Sequence, residues 1–217
     1  YDGVSVALSP LDQITADGHR PVVVSLQDRP RRVLEAGATW STAEGAGVDV
    51  IQFDEPAFNV YMDQVRDWGI KALEHAAEGL TCATAVHICY GYGIKANTDW
   101  KETLGGEWRQ YEETFPVIDK STIQQVAIEC RNSKVPIELL AALPGKIVQA
   151  GVIDVASDEI ETPEDVVKVI EAVAKHVPKG NIIATTNCGM APMRRDIAEA
   201  KLIALGAGAK LARQRLA

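Results

Sequence analysis

Short apolar runs alternate with longer amphipathic stretches along most of the chain. The runs are continuously apolar, as expected of parallel strands buried on both faces. We predict strands at 48–53, 83–89, 124–130, 146–155 and 181–186, with 21–26 as a candidate sixth strand. The alternation of strands with helices predicts an α/β fold in which helices wrap a parallel sheet.

The stretches between the runs have the 3.6-residue period of amphipathic helices. The clearest helix begins at Thr162, which is a good N-cap, and Pro163 and acidic residues follow in its first turn. Pro116 is expected to stop the helix that contains it, because a helix-interior proline removes a hydrogen bond. The predicted helices are 59–80, 106–118, 136–143, 162–177 and 193–216.

Chemically reactive side chains gather where the predicted strands end. This position is where a (β/α)8 TIM barrel carries its active site. The residues concerned are Asp54, His87, Cys89, Glu129, Asp154 and Cys188. An eight-stranded barrel averages about 250 residues, and this chain has 217. We therefore predict a single catalytic barrel domain over 1–217 that is incomplete at its N-terminal side. Residues 1–47 match the strand–helix pattern of a barrel poorly, and residues 48–217 form its C-terminal βα units.

Composition excludes several classes of function. The formal charge of −8 and the pI near 5.1 give no basic surface for nucleic acid or for an anionic membrane. No apolar run approaches the length of a membrane span, and the start of the chain does not resemble a signal peptide. Four irregularly spaced cysteines are too few for a disulfide scaffold, so we expect a reducing, cytoplasmic location. The chain begins at Tyr1 instead of methionine, as a fragment would.

His87 and Cys89 lie two residues apart at the end of one predicted strand. Residues i and i+2 point to the same side of a strand, so both side chains can reach one ion. Glu129 and Cys188 end two other strands, and imidazole, thiolate and carboxylate are the ligands that zinc prefers. The alternative is that these residues are ordinary core residues, since cysteine often packs as a small hydrophobic side chain.

Two further features follow predicted strands. Asp54 and Glu55 precede a proline, where carboxylates can hold an ammonium group, bind a hard metal or act as acid and base. The alternative is a helix N-cap, which acidic residues also favour. Tyr90 begins a set of aromatic residues that either line a ligand pocket or pack a long loop onto the barrel.

Four motifs in this order carry a family resemblance: "IQFDEPA", "HICYG", "IEC" and "NCGM". Together they resemble the catalytic barrel of cobalamin-independent methionine synthase, and most of all its short, single-barrel relatives. The similarity covers about residues 44–217. It implies a (β/α)8 barrel that transfers a methyl group to the thiol of homocysteine and so makes methionine.

The resemblance also implies roles for individual residues. Zinc would bind His87, Cys89, Glu129 and Cys188, and the thiol of homocysteine would either displace one of these ligands or join them. Asp54 would hold the amino group of homocysteine, with Glu55 supporting it and Tyr90 near the substrate. The glycine–serine pair and the glutamate that the family places on early strands are not found here, so the resemblance does not imply that this chain is active by itself.

The methyl donor is left open by one departure from the family. The long folate-dependent enzymes carry a histidine that protonates the leaving folate nitrogen, and Ala156 stands at the matching position. Short relatives use either a methylcorrinoid or methyltetrahydrofolate with an accessory protein. Two alternatives to homocysteine methylation remain: methylation of another thiol with a corrinoid protein, and a non-catalytic zinc-binding remnant or partner subunit.

Overall fold

The computed structural model describes residues 23–26, 49–91 and 95–217. These residues form a six-stranded parallel sheet in which each strand pairs with the next one along the chain. The strands are β1 (Val23–Leu26), β2 (Val50–Asp54), β3 (Ala83–Ile88), β4 (Gln125–Glu129), β5 (Ile147–Ile153) and β6 (Ile182–Thr186).

The strand order confirms the predicted fold class. A doubly wound sheet reverses its order at a switch point, but here the order β1 to β6 runs in one direction only. One-directional winding is that of a (β/α)8 barrel, which needs eight strands to close, and six are present in the described part of the chain. The candidate strand at 21–26 is confirmed as β1. The remaining predictions for 1–47 lie outside the described residues.

Helices lie between most of the strands. A short segment, Met62–Gln64, continues through a π-helical turn, Val65–Gly69, into α1 (Ile70–Ala76). The other α-helices are α2 (Lys95–Glu102), α3 (Tyr111–Asp119), α4 (Pro163–Val173) and α5 (Arg195–Leu216). Short 3-10 helices form at Pro56–Asn59, Ile137–Ala142 and Lys179–Asn181. None of the helices described is long and apolar enough to cross a membrane.

The start of α4 was predicted correctly. The Thr162 hydroxyl accepts a hydrogen bond from the Asp165 amide, and the Asp165 carboxylate accepts one from the Thr162 amide. This reciprocal capping box satisfies two N–H groups that the helix leaves without partners.

The helix predicted at 106–118 and stopped near Pro116 ends at Asp119, one residue beyond the predicted bound, but it begins five residues later than predicted and continues through Pro116. The helix begins at Tyr111, so Pro116 lies in the second turn and removes one hydrogen bond near the N-terminus. Tyr111, Phe115 and Ile118 on the same helix are fully buried. Their burial offsets the loss of that hydrogen bond.

The core lies between the sheet and the helices. Strands β3, β4 and β5 are buried almost throughout, as the continuous apolar runs predicted. Strand β6 is only partly covered, and Ile183 within it is 42% exposed. In the described part of the chain β6 therefore forms one edge of the sheet, with its carboxyl end next to that of β5.

Two glycines of α5 make a matched test of how this helix packs on α4. A Cβ atom at Gly208 would lie 2.4 Å from Cβ of Val166 and 2.9 Å from the carbonyl oxygen of Pro163, whereas a Cβ at Gly206 would meet nothing within 4 Å. We expect Gly206→Ala to raise the free energy of unfolding by about 0.5–1 kcal/mol, because alanine favours helix. We expect Gly208→Ala to lower it by about 1–3 kcal/mol through overpacking. Urea denaturation of both variants checks this, and equal shifts would contradict the close helix contact.

Candidate metal centre

Three predicted metal ligands come together at the carboxyl edge of the sheet. His87 and Cys89 leave the end of β3 on the same side, and Cys188 follows β6. One ligand atom from each residue lies within 4.8 Å of the other two. His87 and Cys89 are buried, with 7% and 6% of their surface exposed, and Cys188 is partly exposed.

The chemistry of this cluster fits zinc. Two sulfurs and an imidazole nitrogen around tetrahedral zinc would be separated by roughly 3.5–3.8 Å, which falls within the observed limit. The Nε2 atom of His87 is buried and makes no hydrogen bond within the described residues. A buried nitrogen without a partner is costly and uncommon, and a bound metal ion is one way to satisfy it.

The two thiols and the imidazole perturb one another. The hydrogen bond between the sulfurs lowers the pKa of Cys188 and raises that of Cys89, so the pair holds one proton more readily than two. Burial lowers the pKa of His87, but the neighbouring Cys188, Asp54 and Glu129 raise it by more. The cluster thus concentrates negative charge in a buried place, which favours a cation.

Glu129 lies beside this group but is not among the three mutually close ligand residues. It ends β4 and is only 3% exposed, and its Oε1 accepts a hydrogen bond of 3.1 Å from the Tyr90 amide. Its charge acts on both His87 and Cys89, raising their pKa values. The carboxylate is therefore at the edge of the cluster, with one oxygen already engaged by the backbone.

Asp54 and Glu55 lie at the end of β2. Asp54 is paired in register with His87, and the Glu55 amide donates a 2.8 Å hydrogen bond to the His87 carbonyl. Both side chains are partly exposed, and Gln52 donates a hydrogen bond to Asp54 Oδ1. The Asp54 carboxylate therefore acts on His87 from a partly exposed position, and Glu55 is joined to the same strand end through its backbone.

Tyr90 is buried in an aromatic cluster. Its ring centroid lies 4.6 Å from that of Trp108 and 5.7 Å from that of Trp100, and its hydroxyl donates to Gln110 at 2.8 Å. Its side chain is only 2% exposed, so the packing alternative is present in the structure. Contact between Tyr90 and a substrate stays a prediction.

Sequence reasoning missed the side chains that hold the end of β3. Asn59 Nδ2 donates to the Cys89 carbonyl at 3.3 Å and to the Tyr111 hydroxyl at 3.2 Å. The Tyr111 hydroxyl in turn donates to the Ile88 carbonyl at 2.9 Å. Neither side chain is near His87 or Cys89 in sequence, and nothing in the local pattern indicates a polar contact with β3.

The loop after β5 contains Ala156, where the family histidine would stand. The Ala156 amide donates to Asp154 Oδ1 at 2.8 Å, and Asn132 donates to Asp154 Oδ2 at 3.0 Å. Asn132 has a positive φ of 52°, which is uncommon for a residue other than glycine. Both oxygens of the Asp154 carboxylate are thus engaged in shaping this loop.

Known proteins resemble the chain over most of its length. The sequence profile of the cobalamin-independent synthase catalytic domain matches residues 36–210. Methionine synthase from Saccharolobus solfataricus is 30% identical over 174 residues, which is 79% of this chain and 46% of that protein. The methionine synthase of Sulfurisphaera tokodaii is 28% identical over 172 residues. The chain thus spans about half the length of the curated relatives it matches.

Solved structures agree with these matches. A B12-independent methionine synthase from Shewanella sp. W3-18-1, in complex with selenomethionine, is 47% identical with a TM-score of 0.84, over 98% of this chain and 67% of that one. A methyltransferase from Methanosarcina mazei is 16% identical with a TM-score of 0.56 and shares the fold alone; it covers 93% of this chain and 64% of that one. The profile match and the first of these structures carry the assignment: this chain belongs to the catalytic-domain family of the cobalamin-independent methionine synthases.

Proposed function

We propose that this chain is the zinc-binding part of a homocysteine methyltransferase that makes methionine. The observation that carries the proposal is the cluster of His87, Cys89 and Cys188 at the carboxyl edge of a sheet whose sequence matches this family. If these residues served only to pack the core, the two cysteines and the histidine would have no reason to meet at this edge.

The residues proposed to hold zinc are His87, Cys89 and Cys188, with Glu129 as the fourth. When bound, zinc lowers the pKa of a coordinated thiol, so that the sulfur is a nucleophile at neutral pH. Asn59 and Tyr111 fix the backbone around Cys89, so the two ligands of β3 keep their positions. Preset ligands reduce the entropy lost when a metal ion binds.

We propose that Asp54 binds the ammonium group of homocysteine. The residue pairs in register with His87, so an amino acid held there would have its side chain close to the cluster. Glu55 follows Asp54 directly in the chain, and we propose that it supports the binding of the amine; the Tyr90 amide donates to the proposed ligand Glu129. The Shewanella relative, solved with selenomethionine, supports a site shaped for the methylated product.

The transfer forms a carbon–sulfur bond on homocysteine while the bond between the methyl group and its donor breaks, and the thiol proton is lost. A folate donor must gain a proton on its leaving nitrogen, whereas a corrinoid cobalt keeps the electron pair. Ala156 cannot give a proton, and Asp154 already accepts two hydrogen bonds. These contacts favour a methylcorrinoid protein, or methyltetrahydrofolate with an accessory protein that supplies the missing group.

The proposal extends to the organisation and place of the protein. We propose one catalytic barrel domain, to which residues 48–217 contribute the zinc-binding βα units. All four cysteines are free thiols: Cys82, Cys89, Cys130 and Cys188. Free thiols suit a reducing compartment, so we propose the cytoplasm.

Zinc content and coordination test this proposal. Metal-stripped protein reconstituted with zinc is expected to hold about one zinc per chain, with two sulfur neighbours by X-ray absorption. Adding homocysteine is expected to raise the number of sulfur neighbours to three, because its thiol coordinates the ion.

An alkanethiol without amino and carboxyl groups is the matched control ligand. If Asp54 holds the substrate amine, homocysteine should add its sulfur at much lower concentration than the alkanethiol. Equal concentrations would contradict an amino-acid site and favour the methylation of another thiol. Absence of zinc binding would contradict the metal centre.

A further inference from the structure

One buried amide side chain adjoins two of the proposed metal ligands. Asn187 immediately precedes Cys188, and it contacts the backbone that immediately follows Glu129. It is 1% exposed. Strands β4 and β6 are not neighbours in the sheet, because β5 lies between them. Asn187 therefore links the ends of β4 and β6, which share no backbone hydrogen bonds within the sheet.

The side-chain amide of Asn187 makes three hydrogen bonds with the end of β4. Its Oδ1 accepts from the Cys130 amide at 3.2 Å and from the Arg131 amide at 3.3 Å. Its Nδ2 donates to the Arg131 carbonyl at 2.7 Å. The opposite orientation of the amide would face its NH2 group with two N–H donors, so the network itself fixes which atom is oxygen.

The strand between them is shaped to admit this side chain. A Cβ atom at Gly151 of β5 would lie 2.5 Å from Asn187 Oδ1 and 2.7 Å from its Cα. The register of β5 and β6 shifts between Gly151 and Ile153. The backbone N–H of Asn187 donates to the Ile153 carbonyl at 2.9 Å. Such irregularities re-aim the chain beside active sites. Here the shift turns the end of β6 so that Asn187 reaches over Gly151 to β4.

We infer that Asn187 is a positioning residue, which holds Cys188 and Glu129 at a fixed separation so that both can bind one zinc ion. The inference rests on the proposed zinc site. Asn187 does not bind the metal, because its side-chain oxygen and nitrogen are both hydrogen-bonded to backbone groups. Supporting groups of this kind set metal affinity because they fix the ligands before the ion arrives.

Zinc affinity of Asn187→Ala tests the inference. Chelator competition is expected to show a zinc Kd about 10- to 100-fold higher than that of the original protein, the usual cost of losing a supporting group. Cobalt(II) serves as a spectroscopic substitute for zinc. Its visible bands, which report tetrahedral thiolate coordination, are expected to weaken or shift in the variant.

A variant at Gln149 separates positioning from loss of stability. Gln149 is also a buried amide, hydrogen-bonded to Gln125 at 2.8 Å, and it lies two residues before Gly151 on β5. Gln149→Leu is expected to lower the melting temperature as Asn187→Ala does, while its zinc Kd and cobalt spectrum stay unchanged. If the two variants lose zinc affinity equally, or if neither does, the positioning role is overturned.

Asn187→Asp keeps the test open if the alanine variant does not fold. Aspartate has the same shape and still accepts from the Cys130 and Arg131 amides, but it cannot donate to the Arg131 carbonyl when ionised. We expect its zinc Kd to lie between those of the original protein and the alanine variant, and an unchanged Kd would overturn the inference. If the original protein itself bound no zinc, the proposed function would fail. If it bound zinc and all variants had the same zinc Kd, only the positioning role of Asn187 would fail.

Discussion

Replacing Cys188 with serine is expected to abolish zinc binding and methyl transfer together. The serine hydroxyl stays protonated at neutral pH, so the cluster loses one of its two thiolates. The remaining proposed ligands, His87, Cys89 and Glu129, offer the ion only one thiolate, and two of them come from the end of the same strand. We expect the zinc Kd to rise by more than the roughly 100-fold that loss of a supporting group costs.

Zinc per chain and turnover of homocysteine check this in the same preparation. Cys82→Ser is the matched control, because Cys82 lies just before β3, at the end of the strand opposite His87 and Cys89. That variant should keep its zinc and its activity. Zinc at full occupancy in Cys188→Ser would contradict the assignment of Cys188 as a ligand. Loss of zinc from both variants would show that general destabilisation is responsible.

Strands β3, β4 and β5 could be predicted from the sequence because they are buried on both faces. Predicted strands at 83–89 and 124–130 end within one residue of β3 and β4. Each continuously apolar run stops where the strand reaches the carboxyl edge, so the first polar residues mark that edge. For the same reason the sequence predicted that His87, Cys89 and Cys188 meet.

The supporting contacts could not be predicted, because each joins groups far apart in sequence. Asn187 meets the end of β4 only because β5 carries a glycine at the crossing point, and neither residue shows this in its own segment. Asn59 reaches Cys89 from a short turn. Lys201 has the sequence surroundings of a solvated helix residue, yet it is fully buried. Periodicity reports which face of an element is apolar and gives no information about polar partners.

Lys201 of α5 forms a buried ion pair with Glu161. The two side chains are 0% and 4% exposed, and Lys201 Nζ lies 2.9 Å from Glu161 Oε2. The ammonium group also donates to the Glu159 carbonyl. The other carboxylate oxygen of Glu161 accepts from the Asp154 amide at 2.8 Å. The pair thus ties the last helix to the loop that follows β5, at the same edge of the sheet as the metal centre.

Lys201→Met is expected to lower the free energy of unfolding by about 3–5 kcal/mol, because it leaves the Glu161 charge buried without a partner. Urea denaturation measures this loss. Adding Glu161→Gln to Lys201→Met should restore more than half of the lost free energy of unfolding. Glutamine removes the buried charge and still accepts a hydrogen bond from the Asp154 amide. If the double variant is no more stable than Lys201→Met, the cost comes from lost packing of the lysine stem. Recovery in the double variant would instead show that α5 holds the loop after β5 through charge, and that this charge is tolerated in the interior only because both partners are present.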